Sequence, residues 1–222
     1  MLNSTQKTSL LQTYTKTLYE FYTIAYHSVY KELFGWANEY SQKKRFEVLI
    51  EEAYKGLSLD TDDVLIDVGC GHAGLNEYIQ ASGMQVQYIG LDFFVPCIEE
   101  CKKRFPKQKF FAYDVLNTND EGCMEGDVVC MSGVLNLNIE KTYETIPEAN
   151  IEVVLIVLKR LMKSCRKGIV MNFLHEDSPS KDSFFAYHNP KYLMEVLEHN
   201  GYRIASWREG YLSNDFTLAI TR

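Results

Sequence analysis

The stretch Val64-Leu65-Ile66-Asp67-Val68-Gly69-Cys70-Gly71-His72-Ala73-Gly74 decides how this chain folds. An apolar run, broken by one acid, leads into a glycine-punctuated turn, and helical spacing follows from about Gly74 to Ser82. Glycines between a strand and a helix serve a tight turn and let a ligand approach the backbone. The N–H groups that open the following helix have no partner within it. A G-x-G-x-x-G string is weak alone, because many such strings are only structural turns. Here the next apolar run, Val86–Leu91, ends in Asp92. That acid lies about 20 residues past the loop, where a carboxylate reaches ribose hydroxyls. Loop and acid together predict a nucleoside-cofactor site.

Outward from the loop, short apolar runs alternate with helical patterns. The runs are Lys109–Tyr113, Asp127–Met131 and Ile169–Leu174, with helices predicted from Pro96 to Phe105 and along the stripe Ile151, Val154, Leu155, Leu158, Leu161 and Met162. A further helix is marked by Asn189 as N-cap, Pro190 at its first position and Gly201 past its end. Two last runs, Arg203–Glu209 and Phe216–Thr221, are close enough for an antiparallel hairpin. The expectation is an α/β, Rossmann-like, mostly parallel sheet with helices on both faces. Ahead of it, Leu11, Tyr14, Leu18, Tyr22, Ala25, Val29 and Leu33 form one helical face. Gly35-Trp36 punctuates that helix, and a second is predicted over Ser41–Ala53. The expected organisation is an N-terminal helical cap or lid over 1–58 and a cofactor-binding domain over 59–222.

The 222 residues carry a net charge of −7, which argues against a general grip on nucleic acid, since that needs clustered Lys and Arg. Six cysteines form no C-x-x-C and no zinc-type spacing with histidine, so no metal is expected and a reducing cytoplasm fits. Cys97 and Cys101 share a helix face, where buried thiols are the ordinary reading. The polar N-terminus lacks the apolar region of a secretory signal, and no apolar run approaches a membrane span.

The kind of nucleoside follows from the acids. Asp67, two residues before the first glycine, would oppose a pyrophosphate but suits an ammonium. Asp114, after the third strand, can accept from an adenine amine. With these residues in place the chain resembles a class I S-adenosylmethionine-dependent methyltransferase over roughly residues 60–222. The resemblance implies a seven-stranded sheet in the order 3-2-1-4-5-7-6 with the last strand antiparallel. It implies that Asp67, Gly69, Cys70 and Gly71 cradle the methionine part of the donor. Asp92 would take the ribose, Phe93 the adenine face, and Asp114 with Val115 the adenine edge. Ser132 and Gly133 would line the donor and face the acceptor. Gly35-Trp36, Ser41–Phe46, Ser132–Leu137 and Asn214–Thr217 are similar to a group of bacterial methyltransferases of unassigned substrate.

From the residues themselves, Arg45 can pair with the donor carboxylate and Trp36 can stack over the pocket, or both can be ordinary surface and core residues. Acceptor-side candidates are Asn136, Asn138, His175, Glu176, Tyr187 and His188, with His175, after the fifth strand, as the base. Ser132 stands where a metal-dependent catechol-type enzyme needs an acid. A cytosine-C5 or Asn/Asp-Pro-Pro-Tyr amino methylase is excluded by Ser132-Gly133-Val134-Leu135-Asn136-Leu137. The reading is methyl transfer to a small-molecule acceptor. The alternatives are an NAD-dependent oxidoreductase and a non-catalytic donor-binding partner protein.

Overall fold

The computed structural model describes residues 2–27, 38–117, 124–144, 146 and 148–221. In chain order its elements are α1 (Ser4–Tyr26), α2 (Glu39–Leu57), β1 (Val64–Val68), α3 (Gly74–Ala81), β2 (Gln87–Asp92), α4 (Val95–Arg104), β3 (Lys109–Ala112), β4 (Gly126–Met131), α5 (Ala149–Leu161), β5 (Cys165–His175), β6 (Tyr187–His188), α6 (Pro190–His199), β7 (Arg203–Glu209) and β8 (Asp215–Thr221). The sheet runs β3-β2-β1-β4-β5-β8-β7. All pairs are parallel except those made by β8, which is antiparallel to β5 and β7. This is the expected order with one addition. The two-residue β6 pairs in parallel with the end of β5, Leu174 facing Tyr187 and His175 facing His188. Two residues carry no readable period, so β6 left no trace in the hydrophobic pattern.

The sheet's alternation sorts its side chains onto two faces. Ile66, Val129, Met131, Ile169, Met171, Leu218 and Ile220 join one core cluster with residues of α1, α5 and α6. Leu65, Val128, Cys130, Val170 and Ala219 join a second with residues of α2, α3 and α4. The strands are apolar on both sides, as a sheet covered on both faces requires.

The segment 1–58 therefore serves both faces. Helix α2 covers the sheet, with Leu49, Ile50 and Ala53 fully buried. Helix α1 lies on the opposite side, tied to the segment after β4: the Tyr14 hydroxyl accepts from Leu137 N at 3.1 Å, and Thr13 Oγ1 meets the Tyr143 hydroxyl at 2.8 Å. Val29, Leu33, Gly35 and Trp36 lie outside the described residues.

Local signals set the ends. Asn189 Oδ1 accepts from Tyr192 N at 2.9 Å and Pro190 opens α6, as its sequence predicts. Inside β5, Gly168 has no room for a side chain. A Cβ there would fall on the Ile220 carbonyl oxygen and 2.8 Å from Leu57 Cδ2. Gly168→Ala is expected to cost about 2 kcal/mol of stability, the scale of an overpacked core. A urea melt should show a lower midpoint at unchanged slope. A midpoint equal to the parent's would mean the α2–β5–β8 junction yields freely.

Candidate functional site

The site is built where β1, β2, β3 and β4 end. Gly69 and Gly71 take φ of 77° and 51°, values glycine adopts without strain. A Cβ on Gly69 would also strike Val134. The chain then turns so that Gly69 N and Cys70 N both donate to Leu91 O, at 2.7 and 3.0 Å. Gly71 N donates to Asp92 Oδ2 at 2.9 Å, and Phe94 N donates to Asp92 Oδ1 at 2.8 Å. Two backbone donors thus fix the carboxylate's orientation. Burial pushes its pKa up to about 6 against the opposing pull of those donors.

Asp67 lies beneath the loop, 2% exposed, and accepts from the Tyr88 hydroxyl at 2.7 Å. Burial raises it to about 7; the Tyr88 bond pulls down and the nearby Asp92 pushes up. Asp114 Oδ1 accepts from Leu116 N at 2.9 Å, which folds the turn after β3. After β4, Gly133 takes φ of 72° and its N–H donates to Asn172 Oδ1 at 2.9 Å. The thiols around the loop are packing groups. Cys101 Sγ donates to Gly71 O at 3.2 Å, and a bond to Cys101 together with burial holds the Cys70 thiol well up.

Arg45, on α2, is 7% exposed and binds Asp215 through Nε at 2.9 Å and Nη2 at 2.8 Å. Burial raises Asp215, while Arg45 and Asn172 act against it. The Arg45–Asp215 pair therefore ties α2 to β8, and Asn172 separately ties β5 to the turn that holds Gly133.

A cavity of about 1210 Å³ collects these residues. Its lining includes every expected donor-side residue that the structure describes: Arg45, Asp67, Gly69, Cys70, Gly71, Asp92, Phe93, Asp114, Val115, Ser132 and Gly133. Of the acceptor-side candidates it includes Asn136 and Tyr187. His175, expected as the base, is not part of that lining. Its ring is turned toward β7 and β8: Nδ1 accepts from Asp177 N at 2.9 Å, Nε2 lies 3.4 Å from Glu209 Oε2, and the ring meets Phe216 edge-on. Strand alternation accounts for this, since Leu174 takes the cavity side and His175 the other. Glu176 accepts from Asn189, and Asn138 Nδ2 donates to Ser183 O at 3.3 Å, so both hold loops. His188 is buried against Phe173, and that burial lowers it to about 4.

The sequence reading missed the parts played by Tyr88, Asn172, Asp215 and the loop residues from Ser178 to Phe185. Asn172 had a signal, being the lone amide in the apolar run of β5. Among the described residues, no group of three His, Cys, Asp or Glu side chains could hold a metal ion, and no helix is long and apolar enough to cross a membrane.

No family model matches the chain. It is 23% identical over 158 residues to a protein of Mycobacterium tuberculosis (strain ATCC 25618 / H37Rv) named as a candidate methyltransferase, covering 70% of this chain and 91% of that one. Among solved structures it is similar to the 1,6-didemethyltoxoflavin N1-methyltransferase of Burkholderia thailandensis, crystallised with its acceptor and S-adenosylhomocysteine. There the TM-score is 0.67 at 15% identity, over 95% of this chain and 89% of that one. It is also similar to the magnesium protoporphyrin IX methyltransferase of Synechocystis PCC 6803 with bound S-adenosylmethionine, at TM-score 0.57 and 15% identity, over 100% of this chain and 98% of that one. The fold is the Rossmann-like α/β fold of class I S-adenosylmethionine-dependent methyltransferases.

The raised Asp67 has a consequence for stability. A carboxylate whose folded pKa is about 7, against the ordinary 3.8, destabilises the fold when ionised, and the cost fades as pH falls through that window. Asp67→Asn keeps an acceptor for Tyr88 without the charge. Its Tm should rise by roughly 4 °C above about pH 7, with the gain shrinking in acid. Equal melting of the two proteins at all pH values would refute the assigned burial cost.

Proposed function

We propose that the chain is an S-adenosylmethionine-dependent methyltransferase that acts on a small-molecule acceptor by direct in-line transfer. The observation that carries this is the trio Asp67, Asp92 and Asp114 lining one cavity, around a glycine loop in which the Gly69, Cys70 and Gly71 amides are spent internally. A pyrophosphate needs such amides and repels such carboxylates. A cationic donor with an ammonium, a ribose and an adenine amine has a use for each acid. The names of the M. tuberculosis relative and of the solved neighbours support the same reading.

In this assignment Asp67, Gly69, Cys70 and Gly71 hold the methionine end, with Arg45 toward its carboxylate. Asp92 accepts from the ribose, Phe93 lies against the adenine, and Asp114 with Val115 reads its edge. Ser132 and Gly133 separate donor from acceptor. Bound S-adenosylmethionine supplies a methyl group on a sulfonium, already activated for displacement. The protein's share is alignment: it holds the acceptor's lone pair in line with the methyl and excludes water. Helix α1 is the lid in this reading, since Leu18, Phe21 and Tyr22 line the cavity. The acidic balance supports a metabolite acceptor rather than nucleic acid, and cysteines without disulfide-type or zinc-type spacing fit a reducing cytoplasm.

Calorimetry tests the assignment. S-adenosylmethionine and S-adenosylhomocysteine should bind, NADH should not, and Asp92→Ala should lose at least about tenfold in affinity, the scale of one charge-assisted bond pair. Binding of NADH alone would overturn the reading. Because the ionised acids attract a cationic donor and accept more strongly than the neutral ones, affinity for S-adenosylmethionine should fall as pH drops through about 7 and then about 6. A flat profile would remove Asp67 and Asp92 from the binding set.

A further inference from the structure

We propose that the acceptor is a flat aromatic molecule carrying an anionic group, a claim that rests on the donor assignment above and adds the chemistry of the other half of the cavity. Volume comes first. At about 1210 Å³ the cavity exceeds the usual range for one ligand, about 300–1,000 Å³, so a donor leaves room for a second molecule.

The walls of that second space are aromatic and come from two separate elements. Phe21 reaches in from α1, and Phe185 and Tyr187 from the loop that leads to β6. The two elements meet where the Phe21 and Phe184 rings lie 4.9 Å apart. The loop is fixed from below, because Ala186 N donates to Asn136 O at 2.7 Å. Rings held on two independent supports form a rigid slot, and such a slot gains most from a planar π system.

The polar groups then select among planar molecules. The Lys181 ammonium stands 5.6 Å from the Tyr187 ring centroid, and among the described residues no carboxylate lies within ion-pair distance of it. Its neighbour Asp182 also lines the cavity, but Asp182 Oδ1 accepts from Phe184 N at 2.9 Å and so folds the loop. The Tyr187 hydroxyl accepts from Asp182 N at 2.9 Å, which leaves its proton to be donated. Cation and hydroxyl donor together recognise an anionic oxygen at the cavity mouth. Deeper in, Asn136 is 9% exposed and its Oδ1 has no hydrogen-bond partner among the described residues. A buried acceptor is costly unless paired, and an N–H or O–H on the ring supplies the missing donor. An aliphatic acid would satisfy Lys181 and leave the slot unfilled; a neutral aromatic would do the reverse.

The test uses the full chain saturated with S-adenosylhomocysteine and three calorimetric probes: hydroxynaphthoate, naphthol and cyclohexanecarboxylate. Hydroxynaphthoate is expected to bind about fivefold more tightly than naphthol, the scale of one solvent-rimmed ion pair, and more tightly still than cyclohexanecarboxylate. Lys181→Gln should erase the advantage over naphthol while leaving the affinities for naphthol and S-adenosylhomocysteine as they were. The proposal is overturned if hydroxynaphthoate binds no better than either comparison probe, if no probe binds, or if its advantage survives in Lys181→Gln. Failure of S-adenosylhomocysteine to bind in the first step would instead bring down the donor assignment and this inference with it.

Discussion

One buried carboxylate, held by two backbone N–H groups, organises the cleft. Asp92 closes β2, and its oxygens take Gly71 N from the loop after β1 and Phe94 N from the entry to α4. Leu91 O, one residue earlier, takes Gly69 N and Cys70 N. The end of β2 thus dictates the path of the glycine loop, and the parallel register of β1 with β2 delivers both to the same edge. Glycine is required where the loop passes Val134, so the segment after β4 is placed by the same constraint. The position of the cavity wall made by Asp92 and the glycine loop follows from this junction.

A second polar system braces the opposite side. Arg45 binds Asp215 between α2 and β8, and Asn172 on β5 holds the turn at Gly133. A buried ion pair stabilises little for the desolvation it costs, and apolar residues would fill the space more cheaply. Its place on the cavity wall fits a demand for a guanidinium held in fixed orientation there. The raised carboxylates tell the same story: Asp67 and Asp92 are kept buried at a cost to the unliganded fold.

Much of the fold was legible because its signals are local. The Gly-rich turn after β1, the acid closing β2 and the Asn189-Pro190 start of α6 each act within a few residues. The sheet order came from the resemblance, and the structure has it. Most of the residues expected to hold the donor sit at or just past the end of a strand, a local signal of the same kind. The acceptor side was not legible in this way. The slot combines Phe21 and Phe185, far apart in sequence, and no periodicity announces their meeting. Asp215 looked like a loop residue until its partner on α2 was seen. His175 closes its strand as expected, with its ring toward β7 and β8 while Leu174 lines the cavity. The division at residue 58 followed the change of pattern, whereas α1 and α2 pack on opposite faces of the sheet.

The most direct test of the account is a crystal structure of the protein with S-adenosylhomocysteine. The account predicts both ribose hydroxyls within hydrogen-bond distance of the Asp92 carboxylate, the adenine amine at Asp114 and the amino-acid end between Asp67 and Arg45. A nucleoside bound elsewhere, or a ribose turned away from Asp92, would contradict it.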